Sequence, residues 1–177
     1  MTDARTSQWL DKLEVTELVM TLARGIDRCD ADLIRSVFWP DATDDHGLFK
    51  GSATEFAEWV IPVLKGMERT SHQICNVLVD VRGERAFSES YFIAYHRLVE
   101  GGAQRDMIAA GRYLDRHERR GSEWRIAHRQ TVYDWTIDQA AADSSWRTAP
   151  MVDLLERGRR FGEDRGARDR RAWLGDD

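Results

Sequence analysis

The order of hydrophobic periodicities predicts an α+β fold: helices first, then a curved, mainly antiparallel sheet wrapped on them to form a cone. Three observations carry this expectation. Apolar residues recur at helical spacing over residues 8–26 and 52–65. After Gly66 the period drops to two, in runs rich in β-branched and aromatic residues. Those runs are consecutive and joined by short Gly-containing turns, the mark of a meander. The mouth of such a cone is a common kind of ligand site.

Taken in order, residues 8–26 read as one amphipathic helix with Leu10, Leu13, Leu18, Leu22 and Ile26 on its apolar stripe. A short helix follows over about 31–38. Asp30 is placed as its N-cap, Asp32 favours the positive end of its dipole, and Pro40 follows its end. "DATDDHGLFKG" (41–51) is turn-rich and predicts a short strand at most. Ser52 is the expected cap of the third helix, and Pro62 should kink or end it. Strands are predicted over 70–81, 85–99, 105–120 and 124–137. Alternation from His72 puts Ile74, Asn76 and Leu78 on one face. Tyr91, Ile93, Tyr95 and Arg97 share a face, as do Met107, Ala109, Gly111 and Tyr113, and Arg129 alternates with Ala127, Thr131 and Tyr133. Residues 1–138 form the predicted domain. In the extension at 139–177 the pattern dissolves into a linker and a stretch with seven Arg against five acids over 153–173, which reads as a charged, solvated helix or disorder.

A chain of 177 residues with 42% hydrophobic content can close a core without staples. The net charge of −5 argues against nucleic acid or an anionic membrane as the main partner. Cys29 and Cys75, 46 positions apart, match no zinc, redox or disulfide pattern. The first ten residues lack the apolar core of a signal peptide, and no run reaches the roughly 20 apolar residues that span a bilayer. The expectation is a soluble, cytoplasmic protein with reduced thiols.

Two residues stand out as candidate chemistry. Asp27 ends the first helix on the stripe that faces the sheet, where a buried carboxylate needs a cationic or hydrogen-bonding partner. His72 opens the first long strand in "TSHQICN". Each alone is compatible with a satisfied buried polar group. Together they can form a dyad, in which the carboxylate fixes the imidazole tautomer and frees the other nitrogen as a base. Arg129, directed inward, could hold developing negative charge or pair with an acid. His96 and His117 read as solvated. His46 with Asp44 and Asp45 hints at a metal site, but no second cluster completes it, so no metal is expected.

The ordered set "GIDRCDADLIRSVFWPDA", "GLFKG", "TSHQICN", "LVEGG", "GRYLDRHERRGSEWRI" and "HRQTVYDW" resembles the SnoaL-like branch of the nuclear transport factor two-like superfamily over roughly residues 8–137. Its hexachlorocyclohexane dehydrochlorinase, scytalone dehydratase and bile-acid dehydratase types are cofactor-free lyases. The resemblance implies a cone-shaped, often trimeric barrel, with a dimer as the other possibility, and an Asp–His dyad falling on Asp27 and His72. It also implies a site Arg at Arg129, five residues after Trp124, and pocket positions at Phe49, Ile93, Tyr95 and Tyr113. Leu22 stands where that family often has a Tyr or Lys, so help for a leaving group would come from Tyr91, Tyr95, Tyr113, His46 or Arg129. The function implied is a lyase that needs no cofactor and acts on a small, hydrophobic aromatic or alicyclic molecule. It would expel water, a halide, or formaldehyde from an aryl-propane diol. An isomerase or cyclase would use the same dyad. The alternative from another class is a non-catalytic binding module, or the small subunit of a ring-hydroxylating dioxygenase.

Overall fold

The computed structural model describes residues 3–141, 159–160 and 164–174. The sequence predicts a linker from 139, but the last strand runs on to Ala140; residues 142–158 lie outside the described residues. The elements run α1 (Ala4–Arg28), α2 (Ala31–Ser36), β1 (Phe38–Asp45), β2 (Lys50–Ser52), α3 (Ala53–Lys65), β3 (Arg69–Arg82), β4 (Arg85–Glu100), β5 (Ala103–Arg120), β6 (Glu123–Ala140) and α4 (Arg165–Leu174). The six strands make one sheet in the order β2-β1-β6-β5-β4-β3, antiparallel except where β1 runs parallel to β6. β2 and β3 are its open edges, so the cone is an unclosed curved sheet with helices against its inner face.

Local chemistry explains the helix ends. Asp3 caps α1 by accepting from the Thr6 N–H at 2.8 Å. Cys29, in the left-handed region at φ 53°, ends that helix, with its N–H bonded back to the last turn. Asp30 then caps α2 through the Leu33 N–H at 3.0 Å, as expected. The two helices approach so closely that a Cβ on Gly25 would lie 3.0 Å from the Ile34 side chain. Ser52 and Glu55 form a reciprocal capping box on α3. Pro62 lies in the final turn of α3, which runs on to Lys65 and closes through Gly66, so the helix ends within three residues of the proline.

Three departures from the expected pattern have physical causes. β1 is an eight-residue strand where at most a short one was predicted. Pro40 and Asp41 hide it, because the strand shifts register between Phe38 and Thr43 and needs no ladder donor from the proline. On α1, Leu10 and Leu13 are exposed, and the buried stripe is Val15, Val19, Leu22, Ala23 and Ile26. In β3 a bulge between Ile74 and Val77 reverses the alternation. Asn76 and Leu78 therefore do not continue the face of His72. Val77 and Val79 take it instead, paired with the buried Ser90 and Ser88.

The core joins both layers. Leu22, Ile26, Ile34, Phe56, Val60 and Leu64 from the helices pack on Phe38 and Ile126 of the sheet. A second cluster, Phe92, Ala94, Ala109 and Tyr113 with Ile74, lines the inner face of β3 to β5. Gly111 belongs to this face for a steric reason: a Cβ there would sit 2.0 Å from the Val132 carbonyl oxygen, at the bulge between β5 and β6. Among the described residues no helix is long and apolar enough to cross a membrane.

Candidate active site

The last turn of α1 and the first residues of β3 meet at Asp27 and His72, 45 positions apart in the chain. Asp27 grips His72 twice. One oxygen lies 2.8 Å from His72 Nδ1, and the other accepts the His72 backbone N–H at 2.8 Å. The double contact fixes both the position of the strand and the orientation of the ring. With Nδ1–H donating to the carboxylate, the proton-free nitrogen is Nε2. That atom has no hydrogen bond among the described residues.

A second layer supports the carboxylate. Thr70, two residues before His72 on the same face, reaches Asp27 Oδ1 at 3.5 Å and His96 Nδ1 at 3.1 Å. A relay from His96 Nδ1–H to the Thr70 oxygen, and from the Thr70 hydroxyl to Asp27, satisfies all three groups. His96 stands edge-on to His72, with ring centroids 5.3 Å apart. Burial, then the neighbouring His72, push the His96 pKa down to about 4, so it is neutral at pH 7. His96 is thus part of the site's support, not a solvated residue as expected; the inner face of β4 is set by Ser88, Ser90, Phe92, Ala94 and His96.

The dyad opens into a cavity of about 480 Å³ between α1 and β3. Met20, Ala23 and Ile74 give it apolar walls, and Arg24, Arg28 and Asp164 stand at it as charged groups. Leu22, at the position where a Tyr or Lys was considered, is fully buried in the core.

The remaining sequence candidates lie elsewhere. Strand register puts Tyr91, Ile93 and Tyr95 on the face of β4 opposite Ala94, which pairs with His72. Their expected place in the pocket is not where the fold puts them: Tyr91 is 39% exposed, and the Tyr95 hydroxyl donates to Asp106, shared with Arg97. Tyr113 does share the dyad's face, but it lies under Phe92, stacked at 4.3 Å. Its pKa is raised by burial, so its hydroxyl stays protonated. Phe49 packs against Trp59 and Phe56 in the helical core.

Arg129 is fully buried and clamped by Asp115 through two 2.7 Å hydrogen bonds, with its guanidinium 4.1 Å over the Tyr113 ring. Burial opposes its charge, and Asp115 more than offsets that, raising the pKa further above its usual value. His46 bonds through Nδ1 to the buried Asp44 at 3.0 Å and stacks on Phe56. Among the described residues, no group of three His, Cys, Asp or Glu side chains could hold a metal. His117 is also buried, bonded to Ser88, and burial brings its pKa down to about 4.

Sequence reasoning missed Thr70, His96, Asp115 and the Arg24–Arg28–Asp164 group. Thr70 and Asp115 carried a signal, since each lies two residues from an identified inward position, His72 and Tyr113. Asp164 carried none, because nothing local links it to a helix 136–140 residues away.

This fold has relatives. The family model of the SnoaL-like domain matches residues 7–130, and the chain belongs to that family. An uncharacterised protein of Mycobacterium tuberculosis is 29% identical over 123 residues, covering 67% of this chain and 82% of its own. Among solved structures, the Kfla4162 protein of Kribbella flavida superposes with a TM-score of 0.67 at 19% identity, over 73% of this chain and 95% of its own. The hexachlorocyclohexane dehydrochlorinase LinA-type3 of Novosphingobium barchaimii gives 0.69 at 18%, over 76% and 94%. A Novosphingobium aromaticivorans protein described provisionally as a scytalone dehydratase gives 0.66 at 17%, over 76% and 91%. At these identities the likeness to solved structures is one of fold.

Proposed function

We propose that the protein is a cofactor-independent lyase acting on a small, largely hydrophobic molecule, with His72 as general base and Asp27 as the group that orients it. The observation that carries this reading is the double grip of Asp27 on His72, which leaves Nε2 unbonded on a residue that lines a cavity with Met20, Ala23 and Ile74 as its apolar part. A dehydratase and a dehydrochlorinase among proteins of the same fold support the reaction class. Elimination then proceeds with a closed balance. Nε2 takes a proton from carbon, the C–H electron pair becomes the new double bond, and the bond to the leaving group breaks with its own pair. Water is the leaving group we favour, with halide as the other.

Departing hydroxide needs a proton. Arg129 is committed to Asp115, Tyr91 and Tyr95 lie on the other face, and the guanidinium groups at the cavity do not give up protons. The imidazolium just formed on His72 is the nearest transferable proton, so one ring serves as base and then acid. Asp27 stabilises that cation while it exists.

The test is a panel of small hydrophobic alcohols and halides that carry an acidic C–H, followed by mass spectrometry in D2O. Olefin formation that disappears in His72→Ala supports the proposal. Deuterium uptake without olefin makes the protein an isomerase with the same base. Neither signal, together with stable capture of a larger iron-containing subunit, would make it a non-catalytic module.

A further inference from the structure

We infer that Arg24 and Arg28 form an anion-recognition pair for a substrate carboxylate at the Asp27–His72 cavity, and that Asp164 occupies this pair as a built-in competitor. The inference rests on reading that cavity as the substrate site and adds the class of substrate: a hydrophobic carboxylic acid.

Arg24 and Arg28 are four residues apart on α1, so they project from the same side of the helix. Both line the cavity that holds the dyad. Asp164 meets them from the far end of the chain. One carboxylate oxygen lies 2.9 Å from Arg24 and the other 3.4 Å from Arg28, while Arg28 also donates to the Arg159 carbonyl at 2.7 Å. The Asp164 side chain is only 12% exposed, less than either arginine. A carboxylate therefore already sits where a ligand's carboxylate would bind.

Charge and exchange both favour this role. A neutral ligand that displaced Asp164 would leave the pair uncompensated, whereas a carboxylate would restore the balance. Arg24 is 49% exposed, so water screens its side of the pairing, and a ligand carboxylate can reach it there in exchange for Asp164. Because it is tethered, it competes at an effective concentration in the millimolar range and so raises the concentration of ligand required. Met20, Ala23 and Ile74 would receive the hydrophobic body of the acid while its carboxylate stays with the arginines.

The experiment is isothermal titration of the full chain with trans-cinnamate and with trans-cinnamamide, which have the same ring and side chain but differ in charge. In Asp164→Ala, cinnamate should bind roughly tenfold tighter than in the unaltered protein, with cinnamamide unchanged. The Arg24→Gln, Arg28→Gln double variant should lose the preference for cinnamate. Equal binding of the two probes, no gain in Asp164→Ala, or no binding at millimolar concentration would overturn the inference and leave Asp164 as a tether only. If Asp164→Ala does not fold, the arginine double variant decides alone, since a preference it does not alter overturns the proposal. Titration of His72→Ala separates the two readings: cinnamate should still bind there, so a failed lyase assay and a failed anion preference are different results.

Discussion

Two carboxylate-held bases sit on the inner face of one sheet, and they differ in what their nitrogen atoms still have to do. Asp115 takes both Nε and Nη2 of Arg129, deep in the core. Asp27 takes one ring nitrogen and one backbone N–H of His72 and leaves Nε2 at a cavity. The first arrangement is complete in itself; the second is complete only in its orienting half. Removing a partner from the first should damage the fold, and removing one from the second should damage chemistry.

The largest effect is expected at the dyad. His72→Ala should lower turnover by about 10²–10⁴-fold with the melting curve little changed, and Asp27→Asn should also lose activity because the amide no longer holds the same tautomer. A cycle of the two variants whose losses simply add would break the idea of a coupled pair. Asp115→Ala should instead cost about 3–5 kcal/mol in urea unfolding, because it strands a buried guanidinium. If that variant kept its stability, the contrast between the two pairs would fail.

Acid sharpens the comparison further. His96 and His117 have folded pKa values near 4, below the usual 6.5. The unfolded chain therefore binds more protons between those values. Stability is full above about pH 6.5 and falls as the pH drops toward 4, by about 1.4 kcal/mol per pH unit for each histidine. Thermal melts from pH 7 to 4.5 should show this slope, and His117→Gln should flatten it. Gly111→Ala is expected to cost about 1–3 kcal/mol, through the clash with the Val132 carbonyl. The smallest effect should come from Ser52→Ala, about 1 kcal/mol for the loss of the α3 cap.

Much of the fold was legible because local rules and tertiary structure agree. Asp30 and Ser52 cap the helices their sequence positions suggest, and the four long strands begin and end within a few residues of their Gly-containing turns. The dyad was legible for a similar reason: an acid on a helical apolar stripe and a histidine opening a strand both conflict with burial unless they meet. What escaped depends on pairing between strands. Tyr91, Ile93 and Tyr95 alternate correctly, yet alternation alone does not say which face is inside. His96 looked solvated because it lies near a strand end, and His117 because charges surround it in sequence, but alternation puts both on the buried faces of β4 and β5. Arg129 had an evident need for a partner, and only the β5–β6 register names it as Asp115.

The kink in β3 at Cys75 and Asn76 divides that strand into two independent halves. Upstream, His72 and Ile74 line the cavity and Thr70 supports Asp27; downstream, Val79 and Val81 pack against Val15, Ala86 and Trp124. Deleting one residue at the kink would remove the bulge and bring Val77 two positions after Ile74, restoring unbroken alternation with the valines and the imidazole still on one side. The extra residue thus keeps the site residues and the packing residues on one face although the sequence between them breaks step.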